Sequence, residues 1–398
     1  MPEATLAKAT HRQTRLSNER LVLRTIYEGG PLSRADVARA TELTRTTVSD
    51  LVEGLLDDGL VVEAGTGPST GGKAPILLRV PADARQLIGV DVDRNRLSGV
   101  VVDLHGDVCV REERDLGDRD GAEALQELES LVLSLAKSAD RPLVGVGVGA
   151  PGLIDTVDGT VRWAVGLDWR DEPVGARLAE ITGLPAIVVN DSQAAAMAEW
   201  AFGRHDTGSA MVVVKVGEGI GAGIVLNGRL YAGEDSGAGE IGHTRVTDED
   251  IACRCGSSGC LETVASQRAV LARARRLATE RSDWTLSGEV VTHSSLVQAF
   301  KAGDAVARAV VLESAPPLGR VIGAMIGTLG ARDIVLVGPM ADYGEPWLEQ
   351  VRAEARRSAL PLLVERSTIH LGRTGDDVVE LGAAAMLMTS ELGLALAT

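Results

Sequence analysis

Apolar positions recur with two different periods along the chain, and the change of period divides it. From about residue 17 to 56 the spacing is helical. RLSNERLVLRTIYEGG places Leu21, Val22, Leu23 and Ile26 between a polar start at Ser17/Asn18 and a Gly29-Gly30 stop, which predicts one helix. SRADVARAT predicts a second, opened by a capping box of Ser33 and Asp36. TRTTVSDLVEGLLDDG then sets Val48, Leu51, Val52, Leu55 and Leu56 at i, i+3, i+4, i+7 and i+8 behind Thr44 as cap, an amphipathic helix with one buried stripe. After it LVVEAGTGPSTGGKAPILLRV alternates as two strands around a Gly/Pro/Ser-rich loop, and predicts a wing.

Beyond residue 80 the pattern becomes strand, turn, strand, turn, strand, and it occurs twice. LIGVDVDRNRLSGVVVDLHGDVCV and MVVVKVGEGIGAGIVLNGRLYAG match at an offset of 124 residues, with tight turns near 94 and 218, second strands starting at Gly99 and Gly223, and later turns at Gly106 and Gly228. A duplicated unit of this kind predicts two α/β lobes with a ligand cleft between them. The division expected is therefore a DNA-binding head over 1–80 and a two-lobed body over 81–398, with the lobe boundary near 190–210 and a C-terminal helix returning to the first lobe.

The charge balance sharpens that division. The net charge is −16, yet residues 1–80 hold ten of the 40 Lys/Arg and ten of the 56 Asp/Glu, so the acidity belongs to the body. A neutral head on an acidic body turns its head toward phosphate. No run of about 18 apolar residues is uninterrupted by charge, and three of the four cysteines are clustered instead of spread as a disulfide framework. Together these predict a cytoplasmic protein without a membrane partner.

Three short stretches carry chemistry. In the head, Arg45, Thr46, Thr47 and Ser49 on the first turn after Thr44, with Arg34 in the preceding helix and Lys73 beside Gly71 and Gly72 in the wing, are the candidates for contact with operator DNA. The competing reading of the head is a dimerisation module whose arginines are merely solvated. In the body, AIVVNDSQAAAMAEWAFG sets Asn190 and Asp191 at a strand-to-helix junction; Asp191 either meets a ligand hydroxyl as a proton acceptor or only caps the helix, and both readings stand. GAGEIGHT and CRCGSSGCLE bring Glu240 and His243 ahead of Cys253, Cys255 and Cys260, in the order His-x9-Cys-x-Cys-x4-Cys. One imidazole and three thiolates complete a tetrahedral structural Zn2+ site with no open position, against the alternative of ordinary buried or redox-active thiols.

These motifs, with GAPGLID and GEGIGAGIVLNGRLYAG, resemble the ROK family (repressors, open reading frames and sugar kinases), and the head is similar to the winged helix-turn-helix domain of its repressor branch. The resemblance covers nearly the whole chain. It implies an actin-like two-lobed ATPase fold, a sugar or sugar-phosphate effector, and a homodimer or homotetramer. Carried over position by position, it implies sugar contacts at Gly152, Asn190, Asp191, Glu240, His243 and Glu262, and zinc ligands at His243, Cys253, Cys255 and Cys260. His243 would bind metal with one nitrogen and sugar with the other.

The nucleotide side departs from that family pattern. Asp91-Val92-Asp93-Arg94-Asn95 stands where the kinases have Asp-x-Gly-Gly-Thr, Gly217-Glu218-Gly219 where they have Gly-Thr-Gly, and Pro339 where a glycine is usual. Added carboxylates repel a triphosphate, and side chains in place of glycine obstruct close backbone approach. The expected function is a sugar-responsive transcriptional repressor of carbohydrate-metabolism genes, not an enzyme, with a degenerate ATP site. The alternative is an ATP-dependent hexose kinase that also regulates, with Asp191 as its base; a zinc sensor is a third reading.

Overall fold

The computed structural model describes residues 10–68, 74–203 and 210–394. Three helices build the head: α1 (His11–Gly29), α2 (Arg34–Thr41) and α3 (Arg45–Asp57). α1 begins well before Ser17/Asn18, because Thr10 and Gln13 make a reciprocal capping box in which Gln13 N–H donates to the Thr10 hydroxyl and Thr10 N–H to Gln13 Oε1. An exposed polar turn leaves no apolar signal, so the spacing rule missed it. α2 and α3 start at the predicted caps, Ser33 and Thr44. The wing is a three-stranded antiparallel sheet ordered Leu32–Ser33, Ile76–Arg79, Val62–Thr66, its first member lying outside the predicted pair.

The body contains two five-stranded sheets of one topology. In spatial order the first runs Ala186–Asn190, Leu143–Ala150, Gln86–Val92, Arg96–Asp103, Val108–Asp115, and the second Thr368–Leu371, Asp333–Val337, Ala210–Val216, Ile220–Leu226, Arg229–Leu230. Each is an antiparallel meander continued by two parallel strands. The offset of 124 holds residue for residue in the first strands, Gln86–Val92 against Ala210–Val216. The second strands begin at Arg96 and Ile220, ahead of the predicted Gly99 and Gly223. These glycines lie inside their strands because helices cover them closely: a Cβ would stand 2.5 Å from the Leu135 side chain at one and 2.5 Å from the Ser192 carbonyl oxygen at the other.

Between the sheets lie two helices packed against each other, Asp191–Phe202 on the second sheet and the terminal helix Val378–Leu392 on the first. Every residue from Ser192 to Trp200 is buried, as expected for a helix without a solvent face. The alanine run permits the close crossing; at Gly382 a Cβ would overlap the Ala194 carbonyl oxygen. Gly121–Ser138 covers the outer face of the first sheet, and a helical layer between Leu261 and Glu365 encloses the second core. Among the described residues one helical stretch, Ala305–Leu329, is long and apolar enough to cross a membrane by composition; 67% of its most apolar window is buried, and it packs in the second core.

The head sits on the first lobe. Val22, Ile26 and Val48 belong to the same contiguous apolar cluster as Leu87, Leu104 and Leu394. Tyr27 Oη donates to the Leu104 carbonyl at 2.7 Å. Arg20 donates to the carbonyls of Ser390 (2.7 Å) and Glu391 (3.1 Å), taking up orphan acceptors at the C-terminal end of the terminal helix.

Candidate functional site

A cavity of about 410 Å³ opens between the lobes, floored by the ends of the two first strands. All six residues expected to contact sugar line it: Gly152, Asn190, Asp191, Glu240, His243 and Glu262. The strand Ala186–Asn190 delivers Asn190 and Asp191 to its floor. Asn190, not Asp191, carries the main cap of the following helix, since its Oδ1 accepts from Ser192 N–H (2.9 Å) and Gln193 N–H (3.3 Å) while its Nδ2 donates to the Gly152 carbonyl (3.1 Å). Gly152 has φ +93°, and a Cβ there would overlap the Trp163 carbonyl oxygen, so this turn admits only glycine.

Asp191 has a partner that sequence reasoning missed. Lys215 Nζ donates to Asp191 Oδ2 at 2.6 Å, with both side chains less than a fifth exposed. Burial alone would lower the Lys215 pKa, but Asp191, Asp91 and Asp93 around it carry the net shift upward and keep it charged. Asp91 occupies the position 124 residues earlier, so the equivalent sites of the two repeats bring opposite charges into one buried group. That signal was available in the sequence: Lys215 is the single charge in the apolar strand AMVVVKV.

Asp91 lies in the same buried group. Burial pushes its pKa up to about 6 despite Lys215, and its Oδ1 has no hydrogen-bond partner among the described residues. Behind it, burial first and the Asp91 charge second push Glu380 of the terminal helix up to about 8. A carboxyl so raised is protonated in the folded chain where the unfolded chain, at 4.5, has released its proton. Its stability contribution is complete below pH 4.5 and is lost as pH rises through about 8. Urea unfolding should therefore give a ΔG that falls by a few kcal/mol over that interval, at about 1.4 kcal/mol per pKa unit. Glu380→Gln should flatten the fall; an unchanged slope would assign it elsewhere.

The nucleotide-side residues also face this cavity. Asp93 Oδ1 accepts from Arg94 N–H at 2.7 Å, and both residues line the wall with Glu218, whose carboxyl is raised by burial and then by Asp93. Pro339 lies against Gly217, its Cδ 3.6 Å from where a Cβ would stand.

On the opposite wall His243, Cys253, Cys255 and Cys260 bring one donor atom each within 4.8 Å of all the others. Cys253 Sγ is 3.6 Å from His243 Nδ1, and Cys255 Sγ is 3.8 Å from Cys260 Sγ. A tetrahedron with metal–sulfur bonds of about 2.3 Å and a metal–nitrogen bond of about 2.0–2.1 Å has edges of about 3.6 and 3.8 Å, so the donor set fits a tetrahedral metal ion. Burial pushes the Cys253 and Cys260 thiols up, while the Ser257 backbone N–H draws Cys255 down, so without a cation two of the three would hold their protons, and a metal ion would bind by displacing them. The loop holding them turns at Gly256 (φ +89°) and Gly259 (φ +69°). His243 Nε2 points away from the cysteines, 3.7 Å from Glu240, and Glu262 Oε1 stands 3.1 Å from Cys253 Sγ. The cluster thus touches both ends of the ligand-lining segment.

In the head, Arg45, Thr46 and Ser49 are exposed on the first turns of α3, and Arg34 is half-buried at the start of α2. Thr44 and Thr47 bond each other through their hydroxyls at 2.8 Å, so they form the cap before they offer anything to a partner. Lys73 lies outside the described residues.

Comparison with known proteins fits this architecture. The ROK family profile matches residues 87–390 and the MarR family profile residues 16–68. The xylose repressor of Caldicellulosiruptor bescii is 31% identical over 383 residues, 94% of this chain and 96% of the relative. A glucokinase of Halalkalibacterium halodurans is 32% identical over 77% of this chain and 96% of its own. A solved ROK family transcriptional regulator, described as a homolog of the E. coli Mlc protein, superposes with a TM-score of 0.83 at 25% identity, over 96% of this chain and 98% of that one. With a profile match across the whole two-lobed body and a full-length relative above 30% identity, the chain belongs to the ROK family and carries a MarR-like winged helix at its N-terminus.

Proposed function

We propose that this protein is a sugar-responsive, DNA-binding transcriptional repressor of carbohydrate-metabolism genes, acting in the cytoplasm as a homodimer or homotetramer. The observation that carries the reading is the terminal helix, which runs from the buried carboxyl group behind the cavity floor to the head. Its first turn holds Glu380 behind Asp91, and its last-turn carbonyls accept from Arg20 of α1. Fifteen residues of helix span about 22 Å, so a shift at one end is delivered to the other. A sugar that favours one closure of the lobes would bias the position of the heads, by no more than its differential affinity for the two closures.

The cavity's chemistry suits a polyol. Asn190 supplies an amide, Asp191, Glu240 and Glu262 accept hydrogen bonds, and His243 Nε2 provides a directional nitrogen. Zn2+ held by His243 Nδ1 and the three thiolates would supply a structural cross-link and fix the His243 tautomer. Phosphoryl transfer is disfavoured on two counts. Asp93 and Glu218 add carboxylates to the wall that the family resemblance would assign to phosphates, and Lys215 Nζ already engages Asp191 Oδ2 at 2.6 Å, the oxygen side a substrate hydroxyl would have to reach. The similarity to a glucokinase supports the second reading, a regulating hexose kinase with Asp191 as base.

One titration separates them. DNA fragments selected by the full chain from a random pool are bound with and without xylose, glucose and their phosphates, with ATP present or absent. A sugar-dependent, ATP-independent change in affinity is expected, and ATP-dependent sugar phosphorylation would establish the kinase instead. In the same assay Arg45→Ala should weaken specific binding by roughly 1–3 kcal/mol if it reads a base. Arg20→Ala should leave DNA binding in place and diminish its sugar dependence; full retention of that dependence would remove the terminal helix from the coupling.

A further inference from the structure

Five tryptophans occur in the chain, and their placement is uneven. Trp169, Trp200, Trp284 and Trp347 are each at most 6% exposed, whereas Trp163 is 44% exposed. Three of the buried indoles donate Nε1–H internally: Trp169 to the Gly121 carbonyl, Trp284 to Asp304 and Trp347 to the Ser314 hydroxyl. The exposed one stands at the rim of the inter-lobe cavity, on the strand Thr160–Ala164 of a small antiparallel meander.

Its position there is fixed by the ligand-lining residues themselves. The Trp163 carbonyl oxygen packs on the Cα of Gly152, and the Gly152 carbonyl accepts from Asn190 Nδ2. Arg162, one residue earlier, sends its guanidinium to Asp155 and Asp171, and strand alternation turns Trp163 to the other face. Past Trp163 the wall continues with Ala164, Val165 (47% exposed) and Leu167, and Gly166 rests against the stem of Arg94, whose Cδ is 3.3 Å from where a Cβ would be. Arg94 stands in the turn that departs from the kinase pattern, so that departure braces an apolar wall.

The floor of the cavity is thus polar and its outer wall is aromatic and aliphatic. Asn190, Asp191, Glu240 and Glu262 offer hydrogen-bonding partners to the hydroxyls of one ring, the wall at Trp163 and Val165 offers apolar surface instead, and the C–H face of a sugar ring is the polyol surface that packs on an indole. We propose that Trp163 forms a second subsite, and that the ligand class is a disaccharide or longer glycoside whose terminal ring enters the polar floor while the next ring stacks on Trp163. This rests on the sugar-binding reading above and adds the length of the ligand to it.

The test is calorimetric titration of the full chain with two matched pairs, xylose against xylobiose and glucose against cellobiose. One disaccharide should bind roughly five- to tenfold tighter than its monosaccharide, the gain expected of one aromatic contact. In Trp163→Ala that ratio should fall to near one, and Trp163→Phe should restore most of it. Equal affinities within both pairs in the unsubstituted chain would overturn the second subsite and leave the sugar reading standing. So would a Trp163→Ala variant that weakens both members of a pair by the same factor, since Trp163 would then only shape the wall. Binding of none of the four sugars would overturn the subsite and the sugar reading together.

Discussion

Lys215→Met is expected to destabilise the protein by about 3–5 kcal/mol, the usual cost of removing one partner from a buried ion pair. The cause is local. Methionine fills a similar volume, so little packing is lost, but Asp191 is left without the ammonium 2.6 Å away and Asp91 without its nearest cation, both in a low-dielectric cleft floor. Two consequences follow from that cause and can be measured by urea unfolding. The penalty should be smaller at pH 5 than at pH 8, because protonating the orphaned carboxylates removes their charge. Adding Asp191→Asn to Lys215→Met should recover part of the loss, whereas independent effects would simply sum. A pH-independent, additive penalty would mean that Lys215 acts through packing alone.

The second large effect is expected at the cluster of His243 and the three cysteines, the proposed zinc site. Cys260→Ser removes a fully buried member of the proposed donor set, whose Sγ lies 3.8 Å from that of Cys255. Bound zinc, measured by colorimetric release, should fall from about one per chain to nearly none, since a three-ligand remnant has an open, water-filled position. Sugar binding should be lost with it. Glu262 is held beside Cys253, and His243 takes its orientation from the same donors, so both lose their aim when the loop from 243 to 262 loosens. A strong chelator should reproduce both losses in the unsubstituted chain. Retained sugar binding in a demetallated protein would show that backbone turns alone hold the loop, and finding no zinc in the purified chain would remove the metal from the account.

Much of this was legible from residues alone. Caps at Ser33 and Thr44, the apolar stripe of α3, the repeat at 124 and the His-x9-Cys-x-Cys-x4-Cys order all depend on local spacing, and local spacing is what periodicity and motif rules read. What was missed had a physical reason in each case. The first turn of α1 is polar and exposed, so its start is written in a capping pair and not in hydrophobicity. The second strands start ahead of their glycines because those glycines answer to a covering helix rather than to a turn. Nothing in the spacing singles out Trp163, since which tryptophan is left uncovered depends on where the lobes end.

The sequence by itself determined the helical head, the duplicated body and the cluster of one histidine and three cysteines, because each is a matter of residue type and spacing along the chain, while the six cavity residues were named through the family resemblance. Tertiary structure alone decided that Lys215 reaches Asp191, that Lys215 and Asp91 meet from equivalent places in two repeats, and that the terminal helix connects Glu380, behind the cavity floor, with Arg20 in the head. Those are contacts between segments some 25 to 370 residues apart, and their energies depend on burial and dielectric, quantities that exist only once the chain has folded.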